Sequence, residues 1–268
     1  MRGGIPVLRS LWSSASGMKA QQLNVDTISN NLANVNTTGF KQSRVSFQDL
    51  MYHTIRNAGT PNNQGSQVPT GIEVGHGVKP GATQKLFTQG SLENTGNELD
   101  MAIQGRGFFQ VQMPDGSIGY TRDGSFEMDS NGQIVNSDGY LLQPPVDIPA
   151  EAEEIAINEE GLVTYRVPGE EQPQEAGQIQ LATFVNPAGL SSEGQNIYKP
   201  TAASGEPVVG NPAEEGYGQV AHKFLETSNV QIVDEMVDMI SAQRAYEINS
   251  RAITASDEML QQASNLKR

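Results

Sequence analysis

Cysteine is absent from this chain of 268 residues. That absence excludes disulfide bonds, iron–sulfur clusters, zinc sites built on thiolates and a cysteine nucleophile. Aromatic residues are also few, at 6%, and hydrophobic residues make up only 36% of the composition. A chain with so few apolar residues does not predict one large hydrophobic core. The sequence therefore favours several smaller packed parts over a single large one.

Positive charge is scarce as well. Lys and Arg together number 17 against 31 Asp and Glu, which gives a formal net charge of −14. Nucleic acids and anionic membrane surfaces repel such a chain, so we expect neither as a partner. The apolar runs fall far short of the ~20 residues of a transmembrane helix. The first residues contain no continuous apolar segment and no cleavage site, so we predict that any export proceeds without removal of a signal peptide.

Patterns typical of catalytic and metal sites are missing too. His53, His76 and His222 stand apart, without neighbours at metal-ligand spacing. The sequence has no G-x-S-x-G motif. Gly105 and Gly107 lead into a predicted strand, whereas a phosphate cradle of this type leads into a helix. We therefore expect no enzymatic activity, no cofactor and no metal ion.

The two ends of the chain have the pattern of amphipathic helices. Apolar residues recur in steps of three and four, with a single step of five, from Val230 onwards, which is the spacing of one helical face. The N-terminal helix is predicted to begin near Ser10, a favourable N-cap residue, and to stop by Gly39. The C-terminal helix carries a second apolar row, and one partner helix cannot cover both rows. The residues of this second row are Ile232, Met236, Met239, Tyr246, Ile253 and Leu260. The ends are therefore predicted to pack against further copies of the chain.

Contacts between subunits are assigned to these helices. The assigned residues are Leu11, Met18, Val25, Leu32, Val233, Met236, Val237, Ile240, Gln243, Arg244, Tyr246, Glu247 and Ile248. Two interpretations remain for Gln243, Arg244 and Glu247. They either make polar contacts with another helix or are ordinary solvated positions. The asparagines of residues 30–36 stay open between local capping and hydrogen bonds between subunits.

Between the helical ends, the hydrophobic period changes to two. Residues 108–113 and 118–120 are predicted strands around the turn residues 114–116, and further strands follow at 134–135 and 140–142. Residues 178–185 show the cleanest alternation and are predicted as one strand. Short strands with no helix between them indicate an antiparallel all-β domain.

The segment between the first helix and this domain is rich in glycine and proline. Its length and composition predict an extended segment that is too long to be an idle connection. We assign it a bracing role between subunits, at Tyr52, Ile55, Pro69, Gly71, Gly75 and Gly77. The predicted class is α+β. Its parts are a discontinuous helical domain of residues 1–36 and 226–268, an extended segment 37–81 and an antiparallel β-domain 82–225.

Several motifs resemble those of the bacterial flagellar rod and hook proteins. Residues 33–41, ANVNTTGFK, resemble the N-terminal motif of that family, with Asn34, Thr38, Gly39 and Phe40 among its positions. Residues 99–109, LDMAIQGRGFF, and 120–126, YTRDGSF, resemble the start of its central β-domain. The C-terminal signature of the family is similar to residues 225–230, LETSNV, and 239–247, MISAQRAYE.

The resemblance implies a structural subunit that polymerises into a helical tube. The paired terminal helices would line the central channel and the β-domain would form the outer layer. Within the family, the chain length and residues 52–56 resemble the distal rod branch; the alternative is a proximal rod paralogue. The implied partners are further copies, proximal rod proteins, hook protein, the P-ring and L-ring proteins and the flagellar type III export apparatus. The implied location is the basal body, spanning the periplasm.

Overall fold

A computed structural model of the chain describes residues 5–59, 69–169 and 172–265. The described residues form one long α-helix near each end of the chain and short strands between them. α1 spans Ile5–Ala33, α2 spans Ile232–Asn265, and one turn of 3-10 helix spans Pro187–Gly189. The α+β class, with terminal helices and an antiparallel β-domain between them in sequence, is confirmed.

The strands before the middle of the chain are short and closely spaced. They are β1 Ser43–Asp49, β2 Tyr52–Arg56, β3 Ile72–Gly75, β4 Val78–Lys85, β5 Leu92–Asn94, β6 Met101–Gln104, β7 Phe108–Gln112, β8 Ile118–Thr121, β9 Phe126–Met128 and β10 Ile134–Asn136. The later strands are β11 Leu141–Gln143, β12 Glu154–Ile157, β13 Leu162–Arg166, β14 Gln174–Gln178, β15 Leu181–Thr183, β16 Ser191–Gly194, β17 Ile197–Lys199, β18 Val208–Gly210, β19 Gln219–His222 and β20 Phe224–Glu226.

The limits of α1 differ from those predicted from the sequence. The helix begins at Ile5 rather than near Ser10, because Pro6 is tolerated in a first helical turn, where its missing N–H has no partner to lose. The helix ends at Ala33, before Gly39, because the following asparagines form a turn in which Asn34 O accepts the Thr37 N–H at 3.2 Å. Among the described residues, neither helix combines the length and hydrophobicity needed to cross a membrane.

The chain divides into two compact units. The described part of the first comprises residues 5–32, 43–59, 69–84 and 232–265. In it, β1 pairs with β4, and β2 pairs with β3 in antiparallel register. The second unit comprises the described residues among 33–42 and 85–231. The domain limits proposed from the sequence remain predictions.

The second unit is built from antiparallel strands. Its largest described sheet follows the order β16-β17-β8-β7-β11-β10-β9, and β15 joins β7 to β18. The predicted hairpin around residues 114–116 is confirmed, since β7 and β8 pair from Gln112 and Ile118 outward. One cluster of buried apolar residues includes Phe109, Val111 and Leu181. An aromatic cluster around Phe108, with Tyr120, Phe184 and Tyr198, forms a separate core.

The prediction of one strand over residues 178–185 is wrong. The structure divides this stretch between β14, which pairs with β13, and β15, which pairs with β7 and β18. The chain changes sheets at Ile179, whose side chain is fully buried between the two strands. Alternation of apolar residues persists across such a change and does not reveal it.

Candidate functional site

A buried cluster of three charges joins distant parts of the second unit. Glu226, the last residue of β20, is fully buried, and its Oε1 lies 2.6 Å from Lys41 Nζ. Its other carboxylate oxygen lies 3.3 Å from Arg122 Nη1. We call Lys41, Arg122 and Glu226 the charge junction. Its members lie in or next to three of the sequence motifs, so the junction connects the beginning, middle and end of the unit.

Backbone groups complete the junction. Gly90 N–H donates to Glu226 Oε1 at 2.8 Å, and Lys41 Nζ donates to the Thr88 carbonyl at 2.8 Å. Arg122 Nη2 donates to the Gly105 carbonyl at 2.7 Å. Burial lowers the pKa of Lys41 and that of Arg122, and the Glu226 carboxylate opposes the shift in both. Glu226 therefore neutralises charge that the surrounding apolar residues disfavour.

The N-terminal motif residues lie beside this junction. Gly39 has a φ of 67°, donates its N–H to the Glu226 carbonyl at 2.8 Å, and approaches Asp123 so closely that a Cβ would lie 2.6 Å from its nitrogen. The Thr38 carbonyl accepts a hydrogen bond from Asn196 at 2.9 Å. Phe40 is buried beneath the Lys85 ammonium, which lies 4.9 Å from the ring centroid. The motif therefore fastens residues 33–42 to the strands of the second unit.

In the first unit, α1 and α2 lie side by side and antiparallel. The Ser10 and Ser256 hydroxyls are hydrogen-bonded at 3.2 Å near one end of the pair. Asn31 Nδ2 lies 3.3 Å from both carboxyl oxygens of Glu235 near the other end. The residues of α2 that are buried are Glu235, Ala242 and Ser256. The fully buried positions of α2 are therefore small or polar, and the apolar residues Met239, Ile253 and Leu260 near them are half-buried.

The first apolar row of α2 lies largely outside this pairing face, whereas Met239, Ile253 and Leu260 of the second row are half-buried. Val233 is 73% exposed and Ile248 is 66% exposed, and the other assigned α2 residues, Met236, Val237, Ile240, Gln243, Arg244, Tyr246 and Glu247, are exposed as well. A row of exposed apolar side chains such as Val233, Val237 and Ile240 is typical of a surface that another molecule covers. The assigned residues of α1, which are Leu11, Met18, Val25 and Leu32, are half-buried. A single chain therefore leaves the stronger apolar face of α2 open.

A groove of about 570 Å³ runs along the helix pair. It brings together four of the assigned residues, Val25, Gln243, Tyr246 and Glu247, with Gln22 beside them. Gln243 and Glu247 thus share one surface with an aromatic ring, as the interpretation of inter-helix polar contacts requires. Whether another subunit occupies the groove remains a prediction.

The predicted bracing segment contains the β2–β3 hairpin. Tyr52 and Ile55 are 55% and 60% exposed on β2, and the described part of the segment resumes at Pro69. Residues 60–68 lie outside the described residues. Gly77, with a φ of 109°, approaches α1 so closely that a Cβ would lie 2.1 Å from Ser16 Oγ.

Two other glycines of the segment lie inside the hairpin. A Cβ on Gly71 would lie 2.7 Å from the Arg56 carbonyl, and one on Gly75 would lie 3.3 Å from the Tyr52 ring. Close packing thus explains the glycines at positions 71 and 77, whereas the exposed Tyr52 ring beside Gly75 has room to move aside. The exposed side chains of β2 are free to contact another molecule.

The comparisons with known proteins agree with these motifs. Residues 11–41 match the flagella basal body rod protein model, residues 102–165 match the flagellar hook protein FlgE/F/G D1 domain, and residues 221–266 match the flagellar basal body rod FlgEFG protein C-terminal model. The flagellar basal-body rod protein FlgG of Borreliella burgdorferi is 52% identical over 98% of this chain and 100% of its own length. The chain belongs to the flagellar basal-body rod protein family.

Other relatives place this rod protein among rod rather than hook proteins. FlgG of Bacillus subtilis is 40% identical over 98% of the chain and 100% of its own length. The flagellar hook protein FlgE of Helicobacter mustelae is 47% identical, but over only 51% of this rod protein and 30% of its own length. The predicted membership of the rod and hook family is confirmed, and the rod proteins are structural subunits of the flagellar basal body.

The sequence did not reveal two of the buried polar contacts among the described residues, the charge junction and the contact of Asn31 with Glu235. The sequence places Lys41, Arg122 and Glu226 in three separate motifs and does not show that they meet. Asn31 was considered for capping or for contact between subunits, whereas the structure hydrogen-bonds it to Glu235 of the same chain. The available signal was a charged residue within an otherwise uncharged motif, such as Lys41 after Gly39 and Phe40.

Proposed function

We propose that this rod protein polymerises into the distal rod, a rigid hollow drive shaft that links the proximal rod to the hook. The observation that carries the proposal is the exposed apolar face of α2, which a single chain leaves open. Full burial of an exposed apolar side chain is worth about 1.5–3 kcal/mol, so covering each of these partly exposed residues contributes a share of that amount. Copies of the same chain are the natural occupants, because both apolar rows continue along the whole helix. The similarity to FlgG proteins over the whole chain supports this role rather than that of a proximal rod paralogue.

Several further roles belong to the same proposal. The paired helices would line the channel, and the second unit would form the outer layer that turns inside the P and L rings. The rod would cross the periplasm and contact proximal rod proteins at one end and hook protein at the other. The chain would leave the cytoplasm through the flagellar type III export apparatus with its N-terminus uncut, and it would act without catalysis. These roles are supported by the resemblance and by the partial match to a hook protein.

Electron microscopy of basal bodies from a strain without this chain tests the proposal. We expect rods that end short and carry no hook, because the segment between the proximal rod and the hook would be missing. Re-expression of the full chain should restore rod length and hook. Full-length rods that carry hooks in the deletion strain would contradict the distal rod assignment.

A second experiment addresses the bracing segment. We propose that the hairpin of β2 and β3 stiffens the polymer by contact between subunits through Tyr52 and Ile55. Deletion of residues 57–75 removes β3 and leaves β2 unpaired. We expect either flexible polymers or rods that stop early, measured as curvature and length in electron micrographs.

The double variant Tyr52→Ser and Ile55→Ser provides the matched test, because it keeps the hairpin and removes only its exposed apolar side chains. This double variant should increase the curvature of the rods, as the deletion is expected to do. A substitution of Thr54 on the same strand, Thr54→Ser, serves as control and should leave the rods straight. Straight rods of normal length from the deletion would exclude a bracing role.

A further inference from the structure

The two helices meet in one defined register. Ser10 contacts Ser256, and seven residues further along α1, Gly17 faces Asn249, which lies seven residues earlier in α2. A further fourteen residues along, Asn31 contacts Glu235, fourteen residues before Asn249. Equal steps in opposite directions are what an antiparallel pair with a seven-residue repeat requires. The same relative alignment is therefore kept across most of α1.

The size of the side chains on this face does little to fix the alignment. A slip of seven residues would place Ser10 opposite Ala263, Gly17 opposite Ser256 and Asn31 opposite Ala242. All of these are small or uncharged side chains, so these three positions alone would admit the slipped pair. A face of this kind needs a specific polar contact to select one register, since apolar and small residues are largely interchangeable.

Asn31 supplies such a contact. Its side chain is 1% exposed and Glu235 is 3% exposed. Asn31 Oδ1 accepts the Ser43 N–H at 2.9 Å, and its Nδ2 donates to the Ser43 carbonyl at 2.9 Å and faces both carboxyl oxygens of Glu235 at 3.3 Å. The backbone at the start of β1 therefore fixes the orientation of the amide. A slip of seven residues would separate Glu235 from this donor.

Gly17 supports the same alignment. A Cβ at Gly17 would lie 2.9 Å from Asn249 Nδ2, so the Asn249 side chain occupies space that only glycine leaves free. In the slipped register, Asn249 would instead face Asn24, which has a side chain of its own. The slipped register thus loses both the hydrogen bond at Asn31 and the space at Gly17.

We propose that Asn31 and Glu235 set the register of the helix pair and thereby determine which apolar residues of α2 stand beside which residues of α1 on the surface that a second copy meets. The register belongs to one chain and does not depend on polymerisation. Only its consequence for a second copy rests on the proposed function. Asn31 and Glu235 are thus positioning residues, and the apolar rows supply the contact.

Disulfide trapping tests the register, and the absence of native cysteine makes it clean. The pair Ser10→Cys with Ser256→Cys reports the observed register, and Ser10→Cys with Ala263→Cys reports the slipped one. In the otherwise unchanged chain, the first pair should give about tenfold more internally crosslinked product, the ratio expected for one hydrogen bond to a charged group. Crosslinked monomers and dimers separate on a non-reducing gel, so the assay reports one chain whether or not chains polymerise.

Glu235→Met is the decisive variant, because it keeps the side-chain length and removes the acceptor without leaving a buried charge. It should bring the two yields to within about threefold. Asn31→Asp, which opposes Glu235 with a second carboxyl group, should do the same and guards against loss of the helix pair in the first variant. Glu235→Gln keeps an acceptor for Asn31 and should retain the original ratio.

The outcomes separate the two proposals. A tenfold preference that persists in both Glu235→Met and Asn31→Asp would refute the register role, as would equal yields in the unchanged chain. If the ratio of the two yields falls in Glu235→Met and Asn31→Asp while the protein never forms polymers, the result would support the register role. It would count only against the proposed function.

Discussion

Replacement of Glu226 by alanine is expected to lower the free energy of unfolding by about 3–5 kcal/mol, the usual effect of removing one partner from a buried ion pair. The change leaves Lys41 and Arg122 buried without their carboxylate and leaves the Gly90 N–H without its acceptor. Burial lowers the pKa of both cations and Glu226 opposes that shift, so its loss removes the group that compensates for their burial. Equilibrium unfolding in urea, followed by circular dichroism of the chain, measures the loss.

Glu93→Ala is the matched control for this substitution. Glu93 lies on β5, directly opposite Leu225 in the same pair of strands as Glu226, but its side chain is exposed. Its loss should change stability by less than about 0.5 kcal/mol. The loss of stability in Glu226→Gln should lie between those of Glu226→Ala and Glu93→Ala, since the amide keeps an acceptor but not the charge. If Glu226→Ala behaved like Glu93→Ala, the charge junction would not hold the second unit together.

Introduction of a charge into the exposed apolar face of α2 is expected to abolish polymerisation. Val237 is 56% exposed in the single chain, so Val237→Asp should leave its fold intact. In a polymer that covers this face, the new carboxylate would be buried without a partner, which costs several kcal/mol. The critical concentration for assembly should rise at least about 100-fold, the factor that corresponds to 2.7 kcal/mol. Sedimentation of the purified chain over a concentration series measures it.

Asp238→Asn is the control for Val237→Asp, because it also changes one charge and does so at the neighbouring residue. Asp238 follows Val237 in α2, is exposed, and lies outside the apolar row. Its substitution should change the critical concentration by less than about threefold. Assembly of Val237→Asp at the concentration of the unchanged chain would show that this face stays uncovered in the polymer and would remove the main support for the proposed function.

The sequence alone predicts both helices and the antiparallel class of the β-domain, because apolar residues recur with a period of 3.6 in the helices and of two in the strands. It could not identify the face on which α2 meets α1. Hydrophobic periodicity draws attention to Val233, Val237 and Ile240, which are exposed, whereas the pairing face contains Glu235 and Ser256. The second apolar row includes Met239, Ile253 and Leu260, which are half-buried, but the pattern alone does not show which of the two rows lies against α1.

The charge junction was unpredictable for a different reason. Lys41 and Arg122 lie far from Glu226 in sequence and reach it only because β20 pairs with β5 while residues 33–42 fold against the same unit. No local rule relates residues at such separations. The division of residues 178–185 between two sheets has a related origin, because β14 pairs with the neighbouring β13 while β15 pairs with the more distant β7 and β18.

The charge junction also affects the order in which the second unit can fold. Lys41 and Arg122 lose water on folding, and their counterion arrives only with residue 226, near the end of a chain that is synthesised from its N-terminus. A partial chain that ends before Glu226 would have to bury two cations without a partner, so its collapsed forms are unfavourable. Contacts between such distant residues also make folding slow. The last strand of the unit thus disfavours collapse of an incomplete chain, a property that would suit the export route of the proposed function.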